Sequence, residues 1–123
     1  MAWLYVALGG AAGSLLRYAA GQALRPARPG AFPWPTFAVN VAGSLLLGLV
    51  VALVPRDDPH HLRALLAVGF CGGLTTFSTF GYETITLLQS RAYGVALAYA
   101  GGSFVLALIA VVIGLSTGTR LAH

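Results

Sequence analysis

Four long apolar stretches dominate the chain, and short polar segments separate them. The stretches cover about residues 3–24, 35–54, 62–89 and 92–117, and few charges interrupt them. A helix of about 20 apolar residues is long enough to cross the hydrocarbon core of a bilayer. The pattern therefore predicts an all-α membrane protein. We expect residues 1–123 to form a single domain of four transmembrane helices, the first of them retained rather than removed as a signal peptide.

The third stretch combines membrane length with a weak helical middle. No charge interrupts the run from Ala64 to Tyr82, but Gly72 and Gly73 loosen its backbone. Hydroxyls that can compete for backbone hydrogen bonds follow at Thr75, Thr76, Ser78 and Thr79. Broken backbone at membrane depth must be buried in protein or line a wet cavity, where its freed carbonyl and amide groups can hold ions. We therefore predict that the third helix is broken at mid-membrane and forms an ion site.

Polar side chains also lie inside the first two stretches. Arg17 is deep in the first, and charges inside membranes usually face protein or water. A functional role or a buried structural pair is therefore favoured over an arginine that extends to the interface. Thr36, Asn40 and Ser44 fall four apart and form one polar stripe on the second helix. Back-bonding to the helix explains the two hydroxyls, whereas for Asn40 function and helix-to-helix adhesion stay equally open.

Further polar residues lie in the second half of the chain. Tyr99 and Ser103 are four apart and share a face of the fourth helix. Glu83, near the end of the third helix, is expected to pair with an arginine or with helix-end amides rather than to carry protons. The segment 55–61 contains two aspartates and two adjacent histidines, but neighbours in sequence do not share a helix face, so a solvated turn is favoured over a metal site.

Small residues at helical spacing predict close contacts between helices. One such set lies in the first stretch, at Gly9 and Gly13. A second set, expected to pack closely as well, lies in the fourth stretch at Gly94, Gly101 and Gly102.

Composition and charge support a membrane protein and exclude a nucleic-acid partner. The chain is 58% hydrophobic and 8% charged, whereas a soluble domain has about a quarter charged residues. Its seven basic residues are arginines scattered singly, without a cluster that could follow a phosphate backbone. Those that flank the spans are divided evenly between the two sides, Arg56, Arg63 and Arg120 against Arg25, Arg28 and Arg91. An unbiased chain should insert into the bilayer both ways, which predicts an antiparallel, dual-topology homodimer.

Three blocks of sequence together carry a family resemblance. They are residues 9–18 (GGAAGSLLRY), 36–44 (TFAVNVAGS) and 69–80 (GFCGGLTTFSTF), the last followed by Glu83. In order and spacing they resemble the Fluc (CrcB) family of fluoride channels over nearly the whole chain. The run from Thr75 to Phe80 is the most specific part.

The resemblance implies a function and an assembly. It implies a fluoride-selective channel, not an enzyme, that exports fluoride from the cytosol by passive electrodiffusion across the inner (plasma) membrane. It implies an antiparallel homodimer with two pores, surrounded by the lipid bilayer. A structural sodium ion is implied at the dimer centre, held by the backbone carbonyls of Gly72 and Thr75 from both subunits.

The resemblance also implies roles for individual residues. Phe77 and Phe80 would line the fluoride path with their electropositive ring edges, although without the family blocks core packing or lipid contact would be the better interpretation. Asn40 would face the pore, and Arg17 would lie near a vestibule. Hydroxyl donors for the anion are expected at Thr36, Thr76, Ser78, Thr79, Tyr99 and Ser103. One turn beyond Ser103, Ala107 replaces a hydroxyl that family members often carry.

The alternative is a small four-helix, dual-topology exporter of multidrug or other cations. That mechanism needs an acid in the first helix to exchange protons for cations, and this chain has Arg17 there instead. An intramembrane enzyme would need a nucleophile beside a base, and the non-terminal histidines both lie in a loop.

Overall fold

The computed structural model describes residues 1–26 and 28–123. The helices are α1 (Ala2–Ala23), α2 (Trp34–Leu53), a π-helix (Ala64–Cys71), α3 (Gly72–Leu74), α4 (Ser78–Gln89) and α5 (Tyr93–Ala122). No strand occurs in the described ranges, so the all-α prediction is confirmed. Pro35 lies in the first turn of α2, where its missing N–H costs no helical hydrogen bond.

The outer surface of the fold is apolar. Large side chains such as Trp3 (91% exposed), Phe104 (66%) and Leu97 (76%) point away from the helix contacts. Three helical stretches, 34–53, 64–89 and 93–122, are long and apolar enough to cross a membrane. The chain is therefore a multi-pass membrane protein. The first helix, α1, carries Arg17 and several glycines and is not among these three, so a fourth span stays a prediction.

Two helix pairs make most of the contacts, and both join parts of the chain that are far apart in sequence. α1 packs on the π-helix and α3, while α2 packs on α5. At the first contact, a Cβ added at Gly13 would lie 2.7 Å from the Leu74 amide nitrogen, and one added at Gly9 would lie 2.8 Å from the Phe70 nitrogen. The prediction that Gly9 and Gly13 allow a close approach is confirmed.

The contact of α2 with α5 also depends on glycines, but the glycine on α5 is not one of those predicted. A Cβ at Gly48 would lie 3.1 Å from the Cα atom of Gly114. Around Gly94 and Gly101 no described atom lies within 4 Å of an added Cβ, and Gly102 meets only a ring carbon at 3.9 Å. The expectation of close packing at these three positions was wrong within this chain, because α5 turns a different glycine face toward α2.

A small aromatic core fixes the junction of α4 and α5. Leu87, Ala96 and Tyr99 are its buried members, and Tyr99 has no exposed surface. The Phe32 ring meets the Tyr99 ring edge-on, with centroids 5.5 Å apart, and the Phe80 ring lies 5.1 Å from it on the other helix. Such aromatic pairs stabilise their geometry by about 0.5–1.5 kcal/mol beyond their burial. The core therefore holds Tyr99 and Phe80 in fixed positions beside the candidate site.

The turn between α2 and the π-helix is organised by Asp58. Its carboxylate accepts hydrogen bonds from the backbone amides of Leu62 (2.6 Å) and His60 (3.3 Å). The neighbouring Asp57 is exposed. The bond to the amide two residues on is typical of an aspartate that holds a turn, and the second bond satisfies the Leu62 amide where the next helical segment begins.

Candidate functional site

The candidate site is built on the connection between α3 and α4, where helical hydrogen bonding stops after Leu74 and resumes at Ser78. Thr75 closes the last turn, because both its amide (2.9 Å) and its hydroxyl (2.8 Å) donate to the Cys71 carbonyl. Its backbone is extended, with φ −85° and ψ 158°. From Thr75 the chain therefore turns away from the axis of the preceding helix.

Asn40 of α2 fills the space that this turn opens. Its Nδ2 donates to the Thr76 carbonyl (3.1 Å), and the Thr76 amide donates to its Oδ1 (2.8 Å). The side-chain amide thus pairs with both backbone groups of one residue, much as a neighbouring strand would. Nδ2 carries a second hydrogen that this pairing does not use. Asn40 accordingly joins two elements of the fold and also lines the groove described below.

The Gly72 and Thr75 carbonyls have lost the donors that a continuous helix would give them. In a helix these donors are the amides of residues 76 and 79. Here the Thr76 amide donates to Asn40, and the Thr79 amide donates to the Thr76 hydroxyl at 3.2 Å. Carbonyl oxygens that have lost their hydrogen-bond donors are suitable ligands for a hard cation. The residues present therefore fit a sodium ion at this position.

Arg17 of α1 contacts the same connection from the other side. Its Nε donates to the Gly73 carbonyl at 3.0 Å, across 56 positions of sequence, and the residue is half-buried. The pair expected for Arg17 thus involves a backbone carbonyl rather than an acid. The remaining guanidinium N–H groups stay available for other partners.

A groove of about 510 Å³ brings several predicted residues together. Those on its wall are Asn40, Gly72, Thr75, Thr76, Phe77, Phe80 and Ser103. Phe77 is 85% exposed in the single chain, and its ring centroid lies 6.1 Å from that of Phe80. Ser103 is 5% exposed, and its buried hydroxyl has no partner among the described residues. The groove is therefore mostly apolar, with isolated hydrogen-bonding groups, and Ala107 adds to its apolar wall.

A second cavity, of about 520 Å³, lies beside the groove, and Thr76 lines both. Predicted residues on its wall are Arg17, Thr36 and Thr79, and Arg25 and Glu83 join them. Two arginines against one glutamate make its charge positive, which concentrates anions. The structure thus separates the predicted residues into a basic cavity and an aromatic groove that meet at Thr76.

Three residues lie elsewhere or have unexpected partners. Tyr99 lines neither depression, and its hydroxyl donates to Glu83 Oε1 at 2.8 Å. The arginine or helix-end partner expected for Glu83 was wrong, because the short turn between α4 and α5 places Tyr99 within reach. The sequence predicts that Tyr99 shares a polar face with Ser103, but no sequence pattern connects Tyr99 with this acid. Ser78 is exposed and lies on neither wall.

Comparison with known proteins gives consistent matches over nearly the whole chain. Residues 4–115 match the family described as CrcB-like protein, Camphor Resistance (CrcB). A protein of Thermus thermophilus named fluoride-specific ion channel FluC is 46% identical over 120 residues, covering 97% of this chain and 96% of that protein. Proteins of the same name are 46% identical in Novosphingobium aromaticivorans, with 91% of each chain covered, and 41% identical in Acidobacterium capsulatum, with 98% of each covered.

Proposed function

We propose, from the premise that this chain belongs to the CrcB family, that it is a fluoride-selective channel that lets fluoride leave the cytosol by passive electrodiffusion. One observation carries the proposal: relatives named as fluoride-specific ion channels align with almost all of this chain. The geometry agrees, since an aromatic groove and a basic cavity meet at Thr76. The named members of the family are ion channels, so the chain is a transport protein and not an enzyme.

The groove offers what a small, tightly hydrated anion needs when it loses water. The unused Nδ2 hydrogen of Asn40 and the unpartnered hydroxyl of Ser103 can donate hydrogen bonds to fluoride. The rings of Phe77 and Phe80 can present electropositive edges. Few donors on an otherwise apolar wall favour a small anion, and once a partner closes the groove, a narrow path would exclude larger halides.

The second cavity serves as the entrance on one side of this path. Arg17 and Arg25 attract anions and repel cations there. Hydroxyls of Thr36, Thr79 and Thr76 provide donors on its wall, while Glu83 is held by Tyr99. We assign Ser78 and Tyr99 no direct contact with fluoride in this chain. Tyr99 instead keeps the acid in place beside the entrance.

We further propose an antiparallel homodimer in the inner membrane, with four spans per subunit, two pores and the α3–α4 connection at mid-membrane. The exposure of Phe77 and the open side of the groove support a partner that completes the path. The even division of flanking arginines supports both orientations. Where the two connections meet, the Gly72 and Thr75 carbonyls would hold the structural sodium ion. That ion would supply a fixed positive charge.

Efflux from proteoliposomes tests the proposal. Vesicles loaded with potassium fluoride should lose fluoride, measured with a fluoride electrode, once valinomycin lets potassium compensate the charge. A pH gradient should not change the rate, and chloride-loaded vesicles should keep their chloride. Fluoride loss no faster than from protein-free vesicles would overturn the proposal. Exchange of a cationic drug for protons would instead support a small multidrug-type exporter.

A further inference from the structure

We propose that Asn40 and Arg17 are positioning residues that clamp the α3–α4 connection from two sides and so keep the Gly72 and Thr75 carbonyls free. The inference rests on the proposed function, since free carbonyls matter if this connection serves ion transport. It goes further by giving both side chains a task separate from contact with fluoride. The clamp is defined as the hydrogen bonds of Asn40 to Thr76 and of Arg17 to Gly73.

Asn40 supplies the first half of the clamp. Without it, the nearest helical acceptor for the Thr76 amide is the Gly72 carbonyl, and one more turn of α3 would form. By accepting that amide at 2.8 Å and donating to the Thr76 carbonyl at 3.1 Å, Asn40 satisfies both groups outside the helix. An unpaired backbone group in a buried place is strongly unfavourable. The pairing therefore stabilises the extended backbone at Thr75 and prevents the helix from claiming the Gly72 carbonyl.

Arg17 supplies the second half. The Gly73 carbonyl would otherwise need the amide of residue 77, which the turn at Thr75 carries away from it. Nε satisfies this carbonyl at 3.0 Å with a charged donor, which is stronger than a neutral one. The glycine contact keeps α1 packed against α3, so the guanidinium stays beside the Gly73 carbonyl. The Gly73 carbonyl thus accepts a hydrogen bond from Arg17, while the carbonyls of Gly72 and Thr75, on either side of it in the turn, remain free to bind an ion.

The chain contains a built-in reporter for this arrangement. Cys71 is its one cysteine, is 2% exposed, and its carbonyl accepts both donors of Thr75. Loosening of the connection should expose its thiol. The rate at which a small maleimide modifies Cys71 in the detergent-purified protein measures that opening without any fluoride present. Repeating the measurement across sodium concentrations, with N-methylglucamine keeping the ionic strength constant, measures how well the carbonyls hold the ion.

Asn40→Ala and Arg17→Gln are the test variants. In each we expect modification at least about tenfold faster than in the wild type, which corresponds to about 1.4 kcal/mol. Each should also need about tenfold more sodium for half-maximal protection, while the elution volume of the dimer is unchanged. Arg17→Lys, which keeps the charge, should be protected better than Arg17→Gln. Arg25→Gln is the matched control: it removes the same charge from the same cavity without a bond to the connection, so its modification rate should equal the wild-type rate.

The outcomes separate the two proposals. Wild-type rates in Asn40→Ala and Arg17→Gln would overturn the clamp, even if the wild type conducts fluoride. Faster modification with an unchanged sodium midpoint would also overturn it, since that is the result of general loosening. If Asn40→Ala does not purify as a folded protein, Asn40→Asp replaces it. Aspartate keeps the acceptor for the Thr76 amide but cannot donate to the Thr76 carbonyl, so Cys71 should still be modified faster than in the wild type. Absence of fluoride efflux from the wild type would count against the proposed function alone.

Discussion

Replacing Gly13 by alanine should destabilise the protein, because the contact of α1 with the π-helix and α3 has no space for a methyl group. The added Cβ would lie 2.7 Å from the Leu74 amide nitrogen and would overlap the Phe70 carbonyl oxygen. Ordinary contact begins at 3.4 Å, so relieving the nitrogen contact alone requires a shift of about 0.7 Å. Both obstacles are backbone atoms, so no side chain can rotate away and the two helices must separate.

The magnitude follows from two opposing terms. Overpacking a close contact costs about 1–3 kcal/mol, and more when backbone must move. Alanine in place of glycine inside a helix returns roughly 0.5–1 kcal/mol. We expect a net loss of about 1–2 kcal/mol, or roughly 5- to 30-fold in the unfolding equilibrium. Separation of α1 from α3 should also lengthen the Arg17 bond to Gly73, so fluoride efflux should fall as well.

Reversible unfolding in mixed micelles of increasing sodium dodecyl sulfate, followed by circular dichroism, measures the free energy. Gly21→Ala is the control on the same helix, because no described atom lies within 4 Å of its added Cβ. That variant should be unchanged or slightly more stable. Equal stability of Gly13→Ala and the wild type would refute the reasoning. Equal destabilisation by both changes would show that glycine flexibility, not contact, is what α1 requires.

Three further predictions test the proposed channel. Phe77→Ile should slow fluoride efflux strongly and leave the dimer intact, and normal efflux would refute the argument that ring edges line the path. Phe77 is a cleaner test than Phe80, because the Phe80 ring also packs on the aromatic core. Thr75→Val should retain bound sodium, measured by isothermal titration, because the carbonyl survives a side-chain change; loss of the ion from an unchanged dimer would contradict the backbone assignment. A cysteine at Asp57, chosen because the Asp58 carboxylate holds the turn, should be labelled from outside intact cells in about half of the molecules when Cys71 is replaced. Labelling of nearly all or nearly none would mean a single topology.

Helix positions and the glycine contact of α1 could be predicted because they follow from local pattern. Apolar stretches interrupted by proline and polar segments mark the helices, and small residues four apart mark a close approach. The glycines of α5 could not be assigned in the same way. Several of them fit helical spacing equally well, and the face of α5 that meets α2 depends on the whole bundle. The sequence therefore predicts a close contact at Gly94, whereas the structure has it at Gly114.

Partners of the polar residues were the least predictable part of the site. Sequence indicated that Arg17 and Asn40 needed partners, since both are unfavourable in lipid. The partners are backbone groups of residues 73 and 76, and every residue has such groups, so no sequence pattern marks them. Glu83 illustrates the same difficulty with a side chain. The sequence predicts an arginine or helix-end amides as its partner, whereas the hydroxyl of Tyr99, which the turn after α4 brings near, donates to it.

The order in which the helices are made has a consequence for the biogenesis of the protein. α1 and α2 pack mainly on elements that follow them in the chain, and the two make little contact with each other. Gly48 meets its partner Gly114 only after 66 further residues have been synthesised, which takes roughly 3–13 s at ordinary translation rates. During that interval the glycine face of α2 has no α5 to pack against, whereas α1 meets its partners earlier, once the π-helix and α3 have been made. The contact of α2 with α5 is therefore among the last to form during synthesis.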